Sequence, residues 1–395
     1  MKIFLNDNVW NKALERIEYI FDEFDEVMVS FSGGKDSTAI FNLALIVAKK
    51  KNRLPLKVVF VDQEAEWQNV VDYVRTVMNM KEVEPYWLQI PIKLFNATSM
   101  EQHWLNCWNP EDEENWMRPK EDISIKENVY GTDRFKKLFE NFQKYHFSDY
   151  SCAFLGGVRA EESPNRRAGL TQGQTYKHIT YGAVNSIKLN HYTFYPLYDW
   201  NVSDIWKAIH DNKWSYCKVY DEFYRFGLQP HKMRISNLHH ETAVDQLFYL
   251  HEIEPDTWNK LTSRLQGINQ SKHLTKKDMF STDKLPYMFD SWEEYRNHLL
   301  KYLIIDEEVN KKFQVKFKDM AEKYDGMDRE YELHKTQIIS ILANDYEFTK
   351  IDNFTSRPES VNFRKWKRGI NVNWNRPDRD LRFIKLEDRG KNGHR

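Results

Sequence analysis

Glu26-Val-Met-Val-Ser-Phe-Ser-Gly-Gly-Lys-Asp-Ser-Thr38 passes from a strand-length apolar run, Glu26 to Phe31, through a glycine-bearing turn, Ser32 to Thr38. A mostly apolar helix follows from Ala39 to Lys50. A turn between a buried strand and a helix gathers backbone amides and the positive end of the helix on one spot, which favours an anion. Gly33 and Gly34 let the backbone approach a phosphate, Ser32, Ser37 and Thr38 offer hydroxyls, and Lys35 offers a mobile charge. The turn is not a Walker A loop: Val29 stands where that motif needs glycine, and Asp36 follows the lysine in place of Ser or Thr.

Around this turn the periodicity predicts an amphipathic helix from Val9 to about Phe24 and a β-run from Leu56 to Val61 ending at Asp62. A helix from Trp67 to Met78 and a strand from Glu84 to Ile90 come next. This β-turn-α-β-α order predicts an α/β fold, a parallel sheet with helices on both faces. A Trp-rich acidic stretch at about 95–131 reads as an insertion over the ligand-binding edge. A helix from Asp133 to Tyr145 and a strand from Cys152 to Gly156 lead to a polar loop, Gly157 to Gly173. A last strand is expected at Tyr192 to Leu197, then a helix ending at His210. Helices are predicted at Asn237–His251, Trp258–Leu265, Trp292–Tyr302 and Glu307–Tyr324, giving residues 1–228 as the nucleotide-binding domain and 229–356 as a mainly helical one.

The chain has 395 residues, 41% hydrophobic and 30% charged, with 14 Gly and 12 Pro, which excludes collagen-like and low-complexity classes. With no apolar run of spanning length and polar residues throughout the amino-terminal stretch, a cytoplasmic protein without a membrane segment is expected. Cys107, Cys152 and Cys217 form no CxxC, so neither a disulfide framework nor an iron–sulfur cluster is expected. The net charge of -1 conceals a basic segment at 357–395, with 12 Lys/Arg against 5 Asp/Glu. There Phe363-Arg-Lys-Trp-Lys-Arg368 interleaves rings and cations, a pattern suited to nucleic acid.

Two more features suit an anionic nucleotide. Arg159 follows a predicted strand and shares its loop with Arg166 and Arg167, a grouping fit for bidentate phosphate or sulfate contacts. Asp62 lies at a strand's carboxyl end, where open parallel sheets bind ligands, and is a candidate for Mg2+ or a ribose hydroxyl; Glu64 and Glu66 are weaker candidates for metal or substrate.

The Ser32–Thr38 string resembles the PP-loop of the ATP pyrophosphatase superfamily. Gly157-Val-Arg-Ala-Glu-Glu-Ser163 with Arg166 and Arg167, and Tyr195-Pro-Leu-Tyr-Asp-Trp200 with Ser203-Asp-Ile-Trp206, are similar to segments of its phosphoadenosine phosphosulfate (PAPS) reductase branch. The helical remainder, including His251 to Trp258, resembles the immunoglobulin-binding regulator A type, which carries an additional domain of unknown function. The resemblance implies an adenine nucleotide, ATP or PAPS, with Mg2+. The implied catalytic residues are Lys35, Asp36 and Arg159, with Ser30, Ser32, Gly33, Gly34, Ser37, Thr38, Val61, Asp62, Gly157, Arg166 and Arg167 binding it and Asp62 holding the metal. The backbone of Val59 to Val61 would pair with adenine, and Ser30 or Phe31 would line the base pocket.

The chain departs from that branch in one chemical respect. A thiol-dependent PAPS reductase uses a cysteine near its carboxyl terminus, whereas the last cysteine here is Cys217. Cys217 is either a relocated nucleophile or a buried structural thiol. None of His103, His146, His178, His191, His239 and His240 is distinguished as a base. The leading expectation is ATP α-phosphate cleavage with adenylation, or action on a sulfonucleotide. The alternatives are an adenylating or sulfur-transferring factor acting on nucleic acid with a protein partner, and a nucleotide-responsive regulator without turnover.

Overall fold

The computed structural model describes residues 6–355 apart from 100, 172–174, 236 and 325–329. The basic segment at 357–395, with its expected nucleic-acid contacts, lies outside the described residues. Packing divides the chain into two units, Met1–Lys276 and Lys277–Arg395.

In the first unit, helix α1 (Val9–Glu23) leads to strand β1 (Glu26–Ser30), helix α2 (Lys35–Lys50), β2 (Leu56–Val61), α3 (Gln68–Met78) and β3 (Val83–Leu88). A small antiparallel pair follows, β4 (Ile92–Phe95) with β5 (Trp104–Cys107). Next come α4 (Phe135–Phe147), β6 (Cys152–Leu155), α5 (Pro164–Thr171), β7 (Gly182–Ser186), β8 (His191–Phe194), α6 (Val202–Asp211) and α7 (Val219–Arg225). Helices α8 (Val244–Ile253), α9 (Pro255–Arg264) and α10 (Ile268–Ser271) complete it.

The main sheet has the order β3-β2-β1-β6-β8-β7, parallel except for the β7 edge strand. The central strands Val27–Val29 and Cys152–Leu155 are buried on both faces, as a sheet covered by helices on each side requires. From β1 the chain winds outward through β2 and β3, then returns to place β6 on the other side of β1. The crevice where the winding reverses therefore opens between the loops that leave β1 and β6, the position at which doubly wound sheets bind ligands.

The expected α/β architecture is observed, with differences where short-range patterns mislead. Helix α2 starts at Lys35, not Ala39, because Gly34 serves as its N-cap and absorbs part of the turn. Strand β7 and the β4–β5 pair were not expected; both are short, and β7 is interrupted by a register shift between Val184 and Ser186. By packing, the sheet-bearing unit runs to Lys276, with α8 to α10 joined to its core through Leu247, Leu250, Trp258 and Leu261.

In the second unit, α11 (Lys276–Phe280) begins at the junction and α12 (Trp292–Leu303), α13 (Glu307–Tyr324), α14 (Glu330–Leu342) and α15 (Thr349–Thr355) form a helical assembly. Its core holds Phe313, Phe317, Met320, Ile338 and Ile341. No helix among the described residues is long and apolar enough to cross a membrane.

Candidate nucleotide site

A cavity of about 930 Å3 opens at the crevice between the β1 and β6 loops. Ser30, Ser32, Gly34, Lys35, Asp36, Ser37, Val61, Gly157, Arg159 and Arg166 all line it, so most of the expected site residues converge there from three strands.

The phosphate-type turn is held by local constraints. Gly33 has φ of 70°, in the left-handed region, and a Cβ there would meet Val70 Cγ1 at 2.9 Å. Ser37 Oγ and Thr38 Oγ1 each donate to the Gly34 carbonyl at 2.9 Å, and Ser32 Oγ lies 3.2 Å from Ser37 Oγ. The Lys35 amide, at the start of α2, donates to Tyr220 Oη at 3.0 Å. An arriving anion therefore competes with a phenol from α7 for this amide.

The cations are arranged before any ligand arrives. Asp36 lies between them: Lys35 Nζ is 3.0 Å from one carboxylate oxygen, and Arg159 Nε donates to the other. Arg159 also reaches Glu161 at 3.3 Å, and its amide donates to Glu162 Oε1 at 3.0 Å. Lys35 and Arg159 are both buried, and Lys35 Nζ also lies 3.4 Å from the Met233 carbonyl. Fixed donors in a site shielded from water are worth more than the same groups in solution.

Gly157 brings the two loops together. A Cβ on it would lie 2.7 Å from the Asp36 carbonyl group and 2.9 Å from the Ser37 amide. Gly157→Ala is expected to push the loops apart and loosen the Asp36–Arg159 pair, at an overpacking cost of about 1–3 kcal/mol. Urea unfolding together with an ATP titration checks this; unchanged stability and affinity would refute the close approach.

Four expected residues do not line the cavity. Gly33 packs under α3, and Thr38 is buried with its hydroxyl 3.2 Å from Tyr73 Oη. Arg167 is exposed outside the lining. Asp62 is the clearest correction. It is fully buried, accepting from Arg118 at 2.5 Å, from Trp87 and Gln89 at 3.0 Å each, and from the Glu64 amide at 2.9 Å. Its oxygens are occupied, so Asp62 fits neither a magnesium ion nor a ribose hydroxyl. Among the described residues no group of three or more His, Cys, Asp or Glu is placed to hold a metal.

The insertion at 95–131 also behaves differently from expectation. None of its described residues lines the cavity; Trp108 and Arg118 cover the Asp62–Glu64 loop instead. The thiols are equally remote. Cys107, Cys152 and Cys217 are buried, none lines the cavity, and burial pushes the Cys217 thiol up to about 12.

Several lining residues were not expected. Gln63, Tyr220, His231, Met233, Arg234 and Asn237 join the wall, whereas Glu66, a candidate from the sequence, lines the cavity from the loop after β2. His231 was absent from the sequence candidates, whereas His239 is a buried structural group. Its Nδ1 lies 2.6 Å from the Phe95 carbonyl and its Nε2 2.8 Å from Gln63 Oε1, and burial lowers it to about 4. In the segment from His231 to Asn237 the described residues, 231–235 and 237, carry no helix or strand, so periodicity gives no signal for them. Phe135 and Phe139 from α4 and Phe154, Asn185 and Thr193 from the sheet also line the cavity.

Comparison with known proteins gives two adjoining matches. Residues 26–227 match the phosphoadenosine phosphosulfate reductase domain, and residues 227–377 match a domain of unknown function, DUF3440. "Uncharacterized protein YbdN" of Escherichia coli is 29% identical over 278 residues, 68% of each chain. Among solved structures, Candida glabrata FMN adenylyltransferase aligns with a TM-score of 0.36 at 16% identity, covering 60% of this chain and 65% of that one. A phosphate complex of PAPS reductase from Candida auris aligns with a TM-score of 0.34 at 13% identity, covering 60% and 98%.

Proposed function

The chain belongs to the phosphoadenosine phosphosulfate reductase domain family over residues 26–227, and from that premise we propose that the cavity binds an adenine nucleotide and serves cleavage at its α-phosphate. One observation carries this reading: Lys35, Arg159 and the start of α2 converge on a single crevice whose lining contains no thiol. The Ser32–Ser37 turn with Lys35 and Arg159 takes the phosphate chain. The aromatic part of the lining, Phe135, Phe139 and Phe154, together with Ser30 and Val61, takes the base.

In the proposed reaction a nucleophilic acceptor attacks the α-phosphorus. The bridging bond to the β-phosphate breaks, and pyrophosphate leaves with that bond's electron pair while the acceptor loses its proton. The contribution of this chain is to hold the reacting groups in line and to neutralise charge as it accumulates on the leaving pyrophosphate. Lys35 and Arg159 are the groups placed for that, with Asp36 positioning both.

A thiol-dependent reduction of PAPS makes a different demand, because a thiolate must reach the sulfonyl group. Replacing all three cysteines by serine is therefore expected to leave ATP binding intact and to remove no turnover. Turnover is followed as pyrophosphate released from ATP in the presence of a nucleophilic acceptor, and as sulfite from PAPS with a thiol donor. Sulfite release lost on Cys217→Ser would overturn the adenylation reading in favour of a reductase.

A further inference from the structure

The carboxylates in the loop after β2 meet different fates. Asp62 pairs with Arg118, and Glu64 with Arg264 at 2.6 Å. Glu66, 4% exposed, forms no ion pair among the described residues. It lines the cavity, and Asn237 Nδ2 donates to its Oε1 at 2.6 Å. Asp62 and Arg118 are the charged groups that act on it most directly; Lys35, Asp36, Lys136, Glu140, Arg159, Glu161, Glu162, Arg166, His231 and Arg234 line the same cavity.

We propose that Glu66 is a ligand-contacting carboxylic acid of the nucleotide site that holds its proton while a polyphosphate is bound, with Asn237 as its positioning residue. This rests on the nucleotide reading above. A buried carboxyl beside a polyanion is repelled when ionised, whereas its neutral form carries an O–H able to donate to a phosphate or ribose oxygen. The second family segment thus takes part in the site, since Asn237 lies within residues 227–377.

Burial, with a smaller push from Asp62, already raises Glu66 to about 8, opposed by Arg118, the Gln63 backbone and Asn237. An added polyphosphate raises it further. Below the free-state value both states hold the proton, and binding takes up none. Above it the free protein has lost the proton and the complex regains it, so affinity falls by up to about tenfold per pH unit.

The test is calorimetric titration with ATP at about pH 7 and about pH 9, in two buffers of different ionisation enthalpy. The wild-type protein is expected to take up almost no proton at the lower pH and to approach one at the higher. Glu66→Gln is expected to lose that uptake and the fall in affinity. Asn237→Ala, which removes a donor favouring the charged form, is expected to move the onset of the fall to higher pH. Equal uptake at the higher pH in wild type and Glu66→Gln, or none in wild type, overturns the proposal. If Glu66→Gln fails to fold on thermal unfolding, an Asn237→Ala onset that does not move overturns it. Wild-type protein that binds no ATP at either pH would instead sink the nucleotide reading itself.

Discussion

Lys35→Ala is expected to raise the dissociation constant for ATP by roughly 10- to 100-fold, the loss that follows when a charge-assisted contact worth about 1.5–3 kcal/mol is removed. The side chain is buried beside the ring of Tyr220, with Nζ 5.7 Å from the ring centroid and 3.0 Å from Asp36. Water therefore screens it poorly. The effect on turnover is expected to be larger, roughly 10²–10³-fold, if the lysine contacts charge that accumulates only as the α-phosphate bond breaks. Lys35→Arg is expected to restore little, because a planar fork does not fit a point-charge position between Asp36 and the Met233 carbonyl. Calorimetric titration of both variants checks this, and affinities within twofold of wild type would show that the phosphates sit elsewhere.

Arg264→Ala carries the largest expected effect on stability, a loss of about 3–5 kcal/mol, because it strands a buried carboxylate. Glu64 is fully buried and Arg264 is 6% exposed. Arg264 Nε reaches Glu64 Oε1 at 2.6 Å and Nη2 reaches Oε2 at 3.3 Å, with further contacts to Asp112 at 3.1 Å and the Asn106 carbonyl at 2.8 Å. The pair joins α9 to the loop after β2. Glu254 strengthens that connection by accepting from the Gln68 and Asn69 amides at 2.7 and 3.0 Å, capping α3 from the start of α9. The double variant Arg264→Met with Glu64→Gln is expected to recover much of the loss, since it leaves no lone charge. Urea unfolding of wild type, Arg264→Met, Glu64→Gln and their double variant gives the coupling. A small effect of Arg264→Ala would mean that residues beyond 228 are not integral to the sheet-bearing unit.

What was legible in the sequence was local. The Ser32–Thr38 turn and the Gly157–Arg166 loop each declare themselves within a few residues, and the cavity unites them because β1 and β6 are neighbours. Asp62 was misread for the opposite reason. Its position at the end of β2 suits a ligand, but the arginine that occupies it lies 56 residues away, in an irregular stretch. Glu64 and Arg264 stand 200 residues apart, and nothing in either neighbourhood announces the other. In the sequence Glu66 is a weak candidate because a lone carboxylate has no pattern; only burial and the contact with Asn237, 171 residues on, distinguish it.

The most direct test of the account is a crystal structure of the full chain with a non-hydrolysable ATP analogue. The account predicts phosphates within hydrogen-bonding distance of the amides at the start of α2, of Lys35 and of Arg159, with the purine beside Phe139 and Phe154. An analogue bound elsewhere, with the crevice between the β1 and β6 loops left empty, would contradict it.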